Sequence, residues 1–188
     1  MREIARYLGD VVEIETPIHR DERGYFAVPF NADAAAELGM TEPFVQDNHS
    51  LSVTPGTLRG LHLQLDPWAQ GKLVRVPRGR VLDVVVDVRP GSPTCGHHAA
   101  VELSAERGTQ LWIPRGFAHA FCTLDPDSEL QYKVDAPWNR DAERSIRWND
   151  PDLGIAWPVS EAEVVLSDKD AAAPSFAVVL EEIAGLAP

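Results

Sequence analysis

Cysteine is scarce in this chain of 188 residues: Cys95 and Cys122 are the only two. Two thiols make no disulfide framework, and their separation is not that of a metal site. They read as quiet, buried or half-buried groups in a reduced, cytoplasmic protein. Long apolar runs are also missing, since none approaches the roughly 18 residues a membrane span needs. The start, Met1-Arg2-Glu3-Ile4-Ala5-Arg6, interleaves charges with its few apolar residues and so has no secretory apolar region. Positive charge is short as well: 17 basic against 29 acidic residues leave a net charge of −12. Phosphate-rich partners such as nucleic acid or an anionic membrane would be repelled. A small anionic ligand stays compatible if a few arginines form a local positive pocket. Lysine is the scarcest cation, found only at Lys72, Lys133 and Lys169 against 14 arginines. A compact ammonium kept in so arginine-rich a chain suggests a place where a guanidinium fork does not fit.

What is present points to one all-β domain. Val11–Glu15, Phe44–Gln46, Lys72–Val76, Arg80–Val88, His98–Leu103, Gln110–Ile113, Ala118–Leu124, Glu129–Asp135 and Ser145–Trp148 are short and rich in Val, Ile and aromatics. Gly, Pro, Asp and Asn separate them, which is the pattern of a sandwich or barrel. Helical patterns are confined to Asn31–Leu38, with Gly39 as its C-cap, and to the tail Pro174–Leu186. The length suits one domain with a real core.

Alternation along the strands assigns faces. Lys72 shares one with Val74 and Val76, and Tyr132 shares one with Leu130 and Val134. Asp83 and Asp87 lie among Val81 and Val85, where an unpaired acid is costly. Asp83 therefore reads as a partner standing behind a pocket side chain. The stretch Asp47-Asn48-His49-Ser50 through Leu58-Arg59-Gly60-Leu61-His62, then Gln70-Gly71-Lys72, brings His, Arg and Lys onto neighbouring strands. That set suits a substrate carrying both a phosphate and an acidic C–H.

Longer stretches resemble a known family. They include Asp21-Glu22-Arg23-Gly24-Tyr25-Phe26, Phe44-Val45-Gln46-Asp47-Asn48-His49-Ser50, Leu58-Arg59-Gly60-Leu61-His62, Gly71-Lys72-Leu73-Val74-Arg75 and Asp83-Val84-Val85-Val86-Asp87. Gln110-Leu111-Trp112-Ile113-Pro114-Arg115-Gly116-Phe117-Ala118-His119, Tyr132-Lys133, Trp148-Asn149-Asp150-Pro151 and Leu166-Ser167-Asp168-Lys169-Asp170 follow in order. From about Thr16 to Asp170 the chain resembles the dTDP-4-dehydrorhamnose 3,5-epimerases, cupin-like sugar-nucleotide epimerases. The resemblance implies a jelly-roll core over about residues 40–150, with a few short flanking helices, in a single domain spanning 1–188.

Epimerisation beside a ketone needs a base for the C–H, a donor for the enolate oxygen and an acid on the opposite face. The resemblance assigns His62 as base, Tyr132 as acid and Lys72 as the cation beside the enolate. Asp170 would orient His62 and stabilise its charged form. It further implies substrate contacts from Arg23, Gln46, Asn48, Arg59, His119, Trp138, Glu143 and Lys169. Arg23 and Arg59 would fork onto the pyrophosphate, and Trp138 would stack on thymine where the family usually carries Tyr. Family members are homodimers whose N-terminal strands reach the neighbour's site, which would place Arg23 across an interface. The implied substrate is dTDP-4-dehydro-6-deoxy-D-glucose, with no cofactor and no metal.

Two residues depart from the simplest pattern. Val28 stands where the family commonly has Glu. Strict alternation also puts Arg59 on the face opposite His62, which either a bulge at Gly60 or a role for Arg59 in a different part of the pocket would reconcile. The rival readings are an epimerase acting at only C3 or only C5, a metal-dependent cupin oxygenase, and a non-catalytic sugar-nucleotide binder. The oxygenase reading is disfavoured by the residues: His62 is followed by Gln64 rather than a second His, and His97-His98 would point to opposite sides of a strand.

Overall fold

The computed structural model of the chain describes residues 1–186. Thirteen strands and three short helices follow one another among the described residues. The strands are β1 Arg2–Tyr7, β2 Val11–Glu15, β3 Ile18–Asp21, β4 Gly24–Ala27, β5 Gln46–Ser52, β6 Leu58–Gln64, β7 Lys72–Arg78, β8 Arg80–Asp87, β9 His98–Ser104, β10 Thr109–Ile113, β11 Phe117–Thr123, β12 Ser128–Val134 and β13 Glu143–Ser145. The helices are α1 Ala32–Glu37, α2 Asp168–Ala171 and α3 Phe176–Leu186.

Two antiparallel sheets pack as a jelly-roll sandwich, one ordered β1-β2-β10-β7-β12-β5 and the other β13-β6-β11-β8-β9. Between them lies a core of Val74, Val76, Leu111, Ile113 and Leu130 from the first sheet against Val81, Val85, Leu103, Phe117 and Phe121 from the second. Each such side chain contributes about 1.5–3 kcal/mol by leaving water. The outer faces are covered too. The tail, through Phe176 and Val179 of α3, packs on Leu61, Leu63, Val84 and Val86. Ala35 of α1 and Met40 pack near Ile14, Leu73 and Trp112. The unbroken Val84-Val85-Val86 run follows from this, because β8 is buried on both faces.

Most strand expectations coincide with observed strands, and α1 and α3 fall inside the two helical segments. Two predicted boundaries are corrected. The strand read at Phe44–Gln46 begins at Gln46 and runs on to Ser52, while the one read at Ser145–Trp148 ends at Ser145. Both aromatics that prompted those readings, Phe44 and Trp148, serve in loop packing against Trp112 and Trp157. Strands β1, β3 and β4 had no clear alternation and escape a sequence reading, because their residues are largely exposed. Residues 2–15 thus add two strands to the larger sheet, outside the 40–150 span that the resemblance suggests.

Candidate active site

Polar side chains also point inward between the sheets, among the apolar core: Lys72 on β7, Tyr132 on β12, His62 on β6, His119 on β11 and Asp83 on β8. The first four line one cavity of about 370 Å³, together with Asn48, Arg59, Trp138, Glu143, Lys169 and Asp170. That volume lies in the range of small-molecule sites.

A local irregularity brings Arg59 and His62 to the same side. On β11, His119 pairs with His62 and Phe121 pairs with Arg59, so two steps on β11 oppose three on β6. The extra residue is a bulge, and Gly60 adopts φ +116° within it. A Cβ there would stand 2.5 Å from the His119 carbonyl oxygen and 2.6 Å from the Ala120 Cβ. Only glycine combines that conformation with so close an approach.

His62 Nε2 lies 2.5 Å from Asp170 Oδ1. The carboxylate is almost fully buried, and the Ser167 hydroxyl donates to its other oxygen, Oδ2, at 2.9 Å. Burial alone would push Asp170 upward, but His62, the Ser167 hydroxyl and the Lys169 ammonium outweigh it and hold Asp170 below the usual carboxylate range. With Nε2–H of the neutral ring donated to Asp170, Nδ1 keeps the lone pair, the arrangement a general base requires.

Lys72 crosses the sandwich, its Nζ donating to the His62 carbonyl oxygen at 3.3 Å. Burial pushes it down to about 8, with the Asp83 and Glu143 carboxylates opposing that shift. Tyr132 is raised above its ordinary value, first by burial and then by Glu143, with Arg59 opposing. A raised phenol keeps its proton at neutral pH and can deliver it. His119, with its ring 6.4 Å from that of Tyr132, is held by the fully buried Asp83, whose oxygens lie 2.9 and 3.0 Å from Nε2. Asp83, read from the strand pattern as standing behind a pocket side chain, is placed against the ring of His119.

Glu143 pairs with Lys169 at 2.7 Å on the cavity wall. Trp138 is half exposed at the cavity mouth, its ring free to meet a ligand. Gln46 does not line the cavity. Its Nε2 donates to Asn48 Oδ1 at 2.7 Å and its Oε1 accepts the Trp138 N–H at 3.1 Å, so it ties the two residues that do. Arg23 sits on the β3–β4 hairpin, pairs with Asp21 at 2.6 Å and does not line the cavity of its own chain. Lys133, one of the three lysines, binds Asp47 at 2.9 Å away from this cavity.

Ser167 and Gln64 are wall residues that a reading of the sequence passes over. Gln64 donates to the Trp68 and Pro137 carbonyls at 2.6 and 3.2 Å and accepts the Asn139 N–H at 2.7 Å, which fixes the loop carrying Trp138. For Ser167 a signal existed, since a Ser three residues before an acid marks a helix start. Among the described residues, no three His, Cys, Asp or Glu side chains gather where a metal ion could be held.

Comparison with known proteins agrees with this geometry. The family model described as dTDP-4-dehydrorhamnose 3,5-epimerase matches residues 6–178. The chain belongs to that family. A dTDP-4-dehydrorhamnose 3,5-epimerase of Sinorhizobium fredii (strain NBRC 101917 / NGR234) is 51% identical over 160 residues, covering 83% of this chain and 80% of the relative. One of Shigella flexneri is 49% identical over 171 residues, covering 90% of this chain and 93% of that protein. Among solved structures, a dTDP-6-deoxy-D-glucose-3,5-epimerase from Legionella pneumophila Philadelphia 1, in complex with dTDP-4-keto-L-rhamnose, superposes with a TM-score of 0.92 at 45% identity. It covers 97% of this chain and 96% of its own. A family enzyme is thus an epimerase acting on a nucleotide sugar, and the jelly-roll seen here is the scaffold on which this family builds it.

Proposed function

We propose that this chain converts dTDP-4-dehydro-6-deoxy-D-glucose to dTDP-4-dehydro-L-rhamnose by inverting C3 and C5, in the cytoplasmic supply of rhamnose donors for polysaccharide. The observation that carries the reading is the His62–Asp170 pair on one wall of a cavity, with Tyr132 on the opposite sheet and Lys72 reaching between them. Both C3 and C5 flank the C4 ketone, so one mechanism serves both centres. His62 takes the C–H proton while Asp170 stabilises the resulting imidazolium. Lys72 stabilises the enolate oxygen, and Tyr132 returns a proton from the other face. No cofactor or metal enters the scheme. Arg59 and Lys169 give the cavity cationic groups for the pyrophosphate in an otherwise acidic protein. Asn48 and Trp138 are placed for the base, His119 and Glu143 for the sugar.

The working form in this reading is a homodimer. Arg23, Tyr25 and Phe26 are exposed on a two-stranded hairpin that pairs with neither main sheet, which fits a hairpin reaching into a partner's cavity and bringing Arg23 to the pyrophosphate.

Incubation with the ketosugar nucleotide and product analysis by proton NMR tests the proposal. The expected product is inverted at both carbons and forms undiminished after EDTA treatment. A product inverted at one carbon alone would replace this reading with that of a single-centre epimerase, and turnover lost to EDTA and restored by one divalent ion would make it metal-dependent.

A further inference from the structure

Ser167 caps α2, and its hydroxyl is used twice. Its oxygen accepts the Asp170 N–H at 3.1 Å, as an N-cap does. Its hydrogen goes to Asp170 Oδ2 at 2.9 Å, which capping does not require. With Oδ1 engaged by His62, both oxygens of the carboxylate are held, and its orientation is set from two sides.

We propose that Ser167 is a positioning residue: its hydroxyl fixes the Asp170 carboxylate and draws off part of its charge, and so tunes His62 as a base. This deepens the proposed function and rests on the reading of His62 as the base. The sign follows from charge. Without the hydroxyl donor, Asp170 keeps more negative charge for His62, so the imidazolium persists to higher pH and the base form appears later. The other charged groups around the pair stay in place: Lys169 beside Asp170 with Glu143 on β13, Lys72 from β7 and the His119–Asp83 pair from β11 and β8.

The test compares Ser167→Ala, Ser167→Gly and Ser167→Thr across pH, reading kcat, KM and deuterium uptake at C3 and C5. Glycine is nearly as good a cap as serine but has no donor, so it separates helix formation from tuning. In the Ala and Gly variants kcat should fall about ten-fold, because the Asp170 carboxylate, held from one side only, no longer keeps the His62 ring in the geometry that proton abstraction needs. KM should stay within about two-fold, and the acidic limb of the rate profile should move up by roughly half to one pH unit. Threonine, which keeps the hydroxyl, should restore both. An acidic limb unmoved in Ala and Gly overturns the proposal whatever happens to kcat. A shifted limb that threonine leaves uncorrected overturns it too, because packing around α2 would then be the cause. His62→Ala, assayed alongside, keeps the two readings apart. Wild-type exchange in that variant removes His62 as the base, whereas abolished exchange there with an unmoved limb in Ser167→Ala rejects the role of Ser167 alone.

Discussion

His62 and Tyr132 project from different sheets into one cavity, His62 from β6 of the five-stranded sheet and Tyr132 from β12 of the six-stranded one. A sugar ring held between them offers one face to each. That placement is what inversion needs, since a base and an acid on the same side would return the proton to the face it left.

The two residues should therefore fail differently. His62→Ala is expected to abolish both epimerisation and solvent-deuterium uptake at C3 and C5. Tyr132→Phe keeps the ring's packing and leaves the base intact, so exchange should persist at one or both carbons while inversion nearly stops. NMR in deuterated water reads both. Equal loss of exchange and inversion in Tyr132→Phe would show that Tyr132 is not simply the reprotonating acid.

Asp170→Asn preserves the shape beside His62 but removes the charge that stabilises the imidazolium. We expect kcat to fall about 10²–10³-fold with the fold intact, in the range that general acid–base groups contribute. Steady-state kinetics with circular dichroism as the fold control decide it, and a loss below about five-fold would mean that Asp170 does not assist the base.

Lys72 supplies an alkaline limit. Burial pushes it down to about 8, so it is charged below that pH and neutral above it. If the ammonium stabilises the enolate, turnover should decline as pH rises through about 8. Lys72→Arg should lose activity because a fork does not fit, yet keep its residual rate to higher pH since the guanidinium remains charged. A wild-type profile flat well above pH 8 would detach the rate from the charge on Lys72.

Gly60→Ala tests the bulge. The added Cβ meets the His119 carbonyl and Ala120 at a backbone angle that alanine resists, so we expect a loss of at least about 2 kcal/mol of stability. Activity should also fall, because relief of the clash moves Arg59 or His62. Chemical denaturation measures the first and kinetics the second. A variant as stable and active as the parent would mean that β6 accommodates the side chain and that the bulge does not need glycine.

Much of this protein follows from local order in the chain. The period-two alternation of the buried strands, the continuous Val84-Val85-Val86 run and the turn residues between strands determine an all-β sandwich, because each pattern has one way to bury its apolar face. Lys72, Tyr132 and Asp83 can be placed inward by the same rule, and the family motifs supply roles for them. The sequence also contains the conflict at Arg59 and offers a bulge at Gly60 as one of two ways out, between which the register of β6 against β11 decides. Tertiary structure decides what depends on contacts between distant segments. That His62 meets Asp170 across 108 residues depends on where the tail segment lands on β6, and no local pattern encodes it. The same holds for Gln46, whose amide is taken up by Asn48 and Trp138, and for Ser167, whose second hydrogen bond appears only once Asp170 is turned toward His62. Exposed strands such as β3 and β4 leave no alternation to read, because without burial on one face there is no selection for a hydrophobic period.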